Sequence, residues 1–238
     1  MGLATGSHFF DDNTPRRVPR LGDITLADLP AEIGLFPLFG TLLLPRGKLP
    51  LNVFEPRYIG LIEDALADQR LIGIIQPFSE IDDDEDFAAE PHLFEVGCIG
   101  RITSFVERLD NTYAITLTGI SRFRYLRESE GARGYRRARI DVSAYAGDLN
   151  EIPSAPFDRK LLLESLKEYF ESRGMGVRWE VIDQMADDAL LVALPMICPF
   201  PSPEKQALLE ADTLTERARV LQSLLDLSGS QNGGARPL

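Results

Sequence analysis

Residues 35–58 read L-F-P-L-F-G-T-L-L-L-P-R-G-K-L-P-L-N-V-F-E-P-R-Y. Short apolar runs are interrupted by Pro37, Pro45 and Pro50, and the stretch closes on Phe54, Glu55, Pro56, Arg57 and Tyr58. Proline has no amide hydrogen and fixes its own φ, so neither a long helix nor a central strand tolerates this many. Short edge strands joined by kinks fit the pattern. After Glu55 the period changes. Pro56 suits the first helical position, and Tyr58, Leu61, Ile62 and Ala65 recur at helical spacing.

Downstream, to about residue 145, the chain reads mostly as strand. Residues 71–76 form a short apolar strand and residues 94–106 are rich in β-formers. Residues 112–125 alternate, with Tyr113, Ile115 and Leu117 on one face and Thr112, Ala114, Thr116 and Thr118 on the other. Leu109, Asp110 and Asn111 carry a hairpin turn, and residues 135–145 supply a last strand. The acidic run within 79–91 repels itself and predicts an extended, solvated loop. From residue 156 a helical period takes over. Leu161, Leu162, Ser165, Leu166, Tyr169 and Phe170 share a face that Gly174 and Gly176 end. Shorter helices follow at 179–185 and 188–196, then a break at Pro199 and Pro201. Ser202 as N-cap and Pro203 restart the helix. A capping box of Thr213 and Glu216 opens the last one, with Leu214, Leu221, Leu224 and Leu225 on its apolar face. The organisation predicted is α+β: an irregular extension (1–32), a small β-barrel or sandwich (33–150), a helical region packed on it (151–228) and a disordered tail (229–238).

Composition narrows the function. The net charge of −12 argues against a nucleic-acid binder, which needs a local excess of Lys and Arg. No apolar run approaches the roughly 20 residues that span a bilayer. The first residues lack the basic-then-apolar order of a secretory signal. Cys98 and Cys198, far apart in apolar runs, read as buried free thiols of a reducing, cytoplasmic compartment. His8 and His92 leave a His/Cys metal site short of ligands. Asp82, Asp83, Asp84, Glu85 and Asp86 lack the glycine and glutamate that complete a calcium loop. No G-x-x-x-x-G-K-[ST] phosphate loop occurs, since Gly47 and Lys48 are followed by Leu49 and Pro50. No nucleophile–base pair stands out. The reading is a non-enzymatic protein with no metal and no cofactor.

Five elements in order resemble the N-terminal substrate-binding domain of the Lon (La) ATP-dependent proteases. The first is the opening stretch, matching at Pro37-Leu38, Pro45, Leu49-Pro50-Leu51, Val53-Phe54-Glu55 and Arg57-Tyr58. Next come Gly73-Ile74-Ile75, Val96-Gly97-Cys98-Ile99-Gly100-Arg101-Ile102, and Gly119-Ile120-Ser121-Arg122-Phe123-Arg124. The last is Glu204-Lys205-Gln206-Ala207-Leu208-Leu209-Glu210 with Glu216-Arg217. The resemblance covers residues 34–226. It implies a PUA-like β-barrel followed by helices, and a module that binds unfolded or extended polypeptide and works with a protease or chaperone. The ATPase and protease domains of full-length Lon have no counterpart in these residues.

Two sets of residues are candidates for a site. Phe54, Glu55, Arg57 and Tyr58 either grip a ligand or serve the fold. In the second case Glu55 caps the helix, Arg57 pairs with Glu55 and Tyr58 is core. Residues 122–139 hold many arginines, among them Arg122, Arg124, Arg136 and Arg137. They form a solvated sheet surface, or a basic face for RNA of the kind PUA-like barrels bind. Alternation places Phe123 and Tyr125 inward and Arg122 and Arg124 outward.

Overall fold

In the computed structural model, which describes residues 18–78, 91–150 and 156–232, the proline-broken stretch supplies β1 (Glu32–Pro37), β2 (Lys48–Val53) and α1 (Pro56–Ala67). Strands β3 (Leu71–Ile75), β4 (Val96–Glu107), β5 (Tyr113–Ala132) and β6 (Tyr135–Asp141) follow. Their pairings close a circuit. β1 runs parallel to β3, while β3–β4, β4–β5, β5–β6 and β6–β1 are antiparallel. β2 joins from outside, along the first part of β5, from Lys48 opposite Thr118 to Val53 opposite Tyr113.

The prolines explain this division. β2 carries Pro50 in mid-strand and sits at the end of the strand order, where a missing donor costs no ladder bond. β1 was expected at an edge and is instead paired on both sides, its first half to β6 and its second to β3. It tolerates Pro37 because that is its last residue. The next amide, of Leu38, donates to the Ile75 carbonyl at 3.0 Å.

One apolar cluster draws Ile33 and Leu35 from β1, Ile75 from β3, Ile99 from β4, Ile120 and Phe123 from β5, and Ala138 and Ile140 from β6. A cluster with members from every strand of the circuit is its inside. Phe123 fills the centre, and the motif glycines make its space. A Cβ on Gly97 would lie 2.4 Å from the Phe123 ring, closer than packed atoms approach. Residues 18–31, expected to be mostly irregular with one helical turn within 23–29, carry two short 3-10 turns (Leu21–Asp23 and Leu26–Asp28), and Leu29 joins the inner cluster.

The second, larger cluster lies on the outer face. It joins Phe36, Ile72, Ile74 and Cys98 to α1 and to the C-terminal helices. These are α2 (Arg159–Ser172), α3 (Trp179–Asp183), α4 (Asp187–Ile197), α5 (Ser202–Glu210) and α6 (Leu214–Asn232). α2 buries Leu162, Leu166, Tyr169 and Phe170, each contributing about 1.5–3 kcal/mol. Leu161, expected on that face, is exposed. Gly174 ends the helix at φ +64°, a conformation only glycine adopts freely. Residues 143–149 form a 3-10 segment where the last strand was expected to continue, and α6 runs to Asn232, into the stretch expected as tail.

Candidate functional site

The Phe54–Tyr58 motif divides between surface and core. Tyr58 is buried and stacks on Phe36 with ring centroids 4.1 Å apart. Glu55 occupies the N-cap position, but its side chain accepts no bond from the helix amides. The expected carboxylate cap is therefore corrected. Pro56 has no amide hydrogen, and the amides of Tyr58 and Ile59 both donate to the Glu55 backbone carbonyl at 2.9 Å. Little is left for the carboxylate to cap. It accepts instead from Arg57, at 3.0 Å from Nε, and this exposed pair matches the expected partner. The Arg57 guanidinium also lies over the Tyr58 ring. Phe54 is 69 % exposed.

Phe54 stands at the open end of a three-stranded flap. Val53 is opposite Tyr113, which is opposite Glu107, so Phe54 leaves β2 level with the β4–β5 hairpin tip. One row back, Asn52, Ala114 and Val106 share the outer face. Val106 is exposed, as is Leu109 in the turn; Phe105, on the opposite face, is also partly exposed and packs edge-on against Tyr113 at 4.8 Å. Beyond Arg101, β4 has no β3 partner, so the flap offers strand edges at β2 and at the end of β4. The sequence reading missed Val106 and Leu109. The adjacent pair Phe105-Val106 was the available signal, since period 2 sends one of two consecutive apolar residues outward.

The arginines of residues 122–139 do not gather on one face. Arg122 is a correction: it is 6 % exposed. Its guanidinium makes a bidentate pair with Asp148 at 2.9 Å and donates to the carbonyls of Leu209 and Ala211 at 3.2 and 2.8 Å. Alternation placed it correctly opposite Phe123, but the outer face there lies under the helices. Burial would push the Arg122 pKa down, and the Asp148 carboxylate more than reverses this and raises it. Arg133 pairs with Glu63 and Asp64 of α1. Arg136 pairs with Glu128 and donates to the Pro91 carbonyl. Arg137 lines a cavity of about 300 Å³ with Glu32, Asp64 and Asp68. Arg124 is exposed.

The clasp that α1 makes with the start of β5 and with the β5–β6 hairpin is electrostatic. Tyr113 donates to Glu63 at 3.0 Å and Tyr135 to Asp64 at 2.8 Å. The hydrogen bond from Arg133 holds the Glu63 pKa below its usual value. Partial burial would raise Asp64, and the bonds from Tyr135 and Arg133 outweigh it and hold that carboxyl low too. Groups with depressed pKa values stabilise the fold above the ordinary carboxylate range, and that contribution is lost as pH falls through the folded values.

A seam of polar groups fixes α5 on the ring. The Gly40 amide donates to the Ser202 hydroxyl at 3.1 Å, so Ser202 receives a bond from the ring rather than capping its own helix. Lys205 Nζ donates to the Gly40 carbonyl at 2.6 Å. Gln76 donates to Gln206 Oε1, and Gln206 donates to the Val96 carbonyl, at 3.1 and 3.0 Å. Arg217 donates to Leu208 O at 3.0 Å, and burial pushes its pKa down to about 10.

Both cysteines are free and buried, as expected. Burial pushes both thiols up, Cys198 to about 12, so neither presents a thiolate. Among the described residues no cluster of three or more His, Cys, Asp or Glu could hold a metal, and no helix is long and apolar enough to cross a membrane. The Asp82–Asp86 run and its calcium reading lie outside the described residues.

Comparison with known proteins agrees with this architecture. A family model described as the ATP-dependent protease La (LON) substrate-binding domain matches residues 32–226. Lon protease 2 of Myxococcus xanthus is 26% identical over 208 residues, which are 86% of this chain and 24% of that protein. Lon protease 2 of Sorangium cellulosum is 33% identical over 157 residues, 58% of this chain and 19% of that protein. The chain thus spans about a quarter or less of the length of these relatives. The Lon N-terminal domain protein from Xanthomonas campestris shares the fold with TM-score 0.51 at 23% identity, over 82% of this chain and 97% of that one. The N-terminal domain of Mycobacterium avium complex Lon protease does so with TM-score 0.52 at 17% identity, over 82% and 98%.

Proposed function

The chain belongs to the LON substrate-binding domain family, and from that premise we propose that it is a non-enzymatic module that holds unfolded or extended polypeptide. The observation that carries this reading is the open end of the flap. Phe54, Val106 and Leu109 are exposed there, beside strand edges at β2 and the end of β4. Apolar side chains next to free strand edges suit an extended chain, which offers backbone hydrogen bonds along its length and side chains on alternate sides. The Glu55–Arg57 pair borders this surface. The proposed partners are polypeptide clients and a protease or chaperone that receives them. The proposed compartment is the cytoplasm, which two buried free thiols suit.

The runner-up, RNA on residues 122–139, has less support. Arg122 is buried, and Arg133 and Arg136 are committed to carboxylates.

The test is the binding of a labelled, permanently unfolded polypeptide, such as reduced and carboxymethylated α-lactalbumin, followed by fluorescence anisotropy. Phe54→Ser is expected to weaken binding about tenfold, the worth of one large apolar contact, with the melting temperature unchanged. Unaltered affinity in Phe54→Ser and Val106→Ser would remove the flap as the binding surface.

A further inference from the structure

A second surface lies where the ring meets the helices, away from the flap. Phe78, Phe94, Tyr145, Arg124, Glu95 and Asp212 line a groove of about 580 Å³, with Glu210 at its wall. The volume falls within the range of ligand pockets, roughly 300–1,000 Å³.

Its floor is aromatic. The Phe78 ring lies 5.2 Å from that of Phe94, tilted by 60°, and Phe78 is 66 % exposed. Placing a phenylalanine this openly forfeits most of its burial energy in the free protein. The backbone holds it there. The Phe78 amide donates to the His92 carbonyl at 2.6 Å, and the Phe94 amide to Gln76 at 3.0 Å.

The walls are acidic. Glu95, Glu210 and Asp212 line the groove together with one guanidinium, that of Arg124, beside the Tyr145 ring. The groove therefore attracts cations, and concave walls of low dielectric strengthen that attraction.

The seam builds this site. Arg122 binds the carbonyls of Leu209 and Ala211, fixing the chain on either side of Glu210, and its guanidinium lies 4.8 Å from the Tyr145 ring centre. The buried arginine is thus a positioning residue for a groove that ring and helices form jointly.

We propose that this groove binds extended polypeptide segments in which a lysine or arginine neighbours an aromatic or other large apolar side chain. The apolar side chain lies on Phe78 and Phe94. The basic one reaches Glu95 and Asp212, with its cation free to stack on the Phe78 face. This rests on the polypeptide-binding reading and adds a sequence preference to it. Anionic ligands are disfavoured by the carboxylates. A second copy of a chain with net charge −12 is a poor occupant for an acidic groove.

The test uses two fluorescein-labelled unstructured peptides, one alternating Phe and Arg between Gly-Ser spacers, the other carrying Glu in place of Arg. Anisotropy is followed with the full chain and its variants. The intact protein is expected to bind the Arg peptide and not the Glu peptide. Phe78→Ser, which leaves the charge unchanged, is expected to weaken binding about tenfold. Glu95→Lys with Asp212→Lys should weaken the Arg peptide and admit the Glu peptide. All three side chains are on the surface, so melting temperatures should hold. The inference falls if Phe78→Ser binds like the intact protein, including the case where the lysine variants alone lose affinity, which would mark a general attraction of an acidic chain for a basic peptide. It also falls, while the proposed function stands, if only Phe54→Ser matters, or if neither peptide binds while the unfolded polypeptide does. If the intact protein binds neither peptide nor unfolded polypeptide, both readings fall.

Discussion

Arg122 and Phe123 are consecutive in β5, yet they serve two regions built on opposite chemistry. Phe123 points into the ring, where its neighbours from all the ring strands are aliphatic and fit is set by shape. Gly97 and Gly73 stand where a larger residue would press on its ring. Arg122 points the other way, into the seam, where Asp148, Gln76, Lys205 and Gln206 join the ring to α5 and its neighbours. The ring interior gains from excluding water. The seam must also choose one docking geometry among many, and buried hydrogen-bonded groups penalise every wrong one by leaving partners unsatisfied.

The largest effect is expected inside the ring. Phe123→Ala is expected to cost about 4 kcal/mol, because the rigid ring cannot collapse onto the cavity; denaturant melts measure it. A cost near 1 kcal/mol would mean the ring is more plastic than its packing suggests.

The seam sharpens the contrast. Arg122→Ala should cost about 3 kcal/mol, since it strands the Asp148 carboxylate against buried surroundings. Arg122→Met combined with Asp148→Leu should recover most of that loss, as apolar replacements of buried pairs commonly do. The recovered variant should still lose preference in the Phe78 groove, because the Arg122 hydrogen bonds to the Leu209 and Ala211 carbonyls are then gone. If the double variant is no more stable than Arg122→Ala, the pair contributes packing rather than charge compensation.

The smallest effect is expected outside both regions. Glu55→Ala removes an exposed pair with Arg57 and no helix cap, so the melt should shift by less than about 0.5 kcal/mol. A loss above about 1 kcal/mol would restore the capping role that the geometry denies.

Much of the ring was legible because its signals are local. The hairpin at Leu109, Asp110 and Asn111 formed where turn residues stood between alternating strands, with Asn111 at φ +60°. The helix after Pro56 buries Tyr58, Leu61, Ile62 and Ala65, all anticipated. The opening motif also led to the flap through Phe54. The Phe78 groove left no such trace, because Phe78, Phe94, Tyr145 and Asp212 are far apart in the chain and none stands in a motif.

By itself the sequence determined element types, the breaks between them and which residues share a face, since proline chemistry, period 2 and period 3.6 belong to single segments. The tertiary structure alone decided which of those faces meet water. Alternation correctly set Arg122 opposite Phe123, but α5 and the 3-10 segment after β6 cover that outer face, turning a surface arginine into a buried one. Burial depends on what a distant segment lays over a face, and no periodicity within the face encodes it.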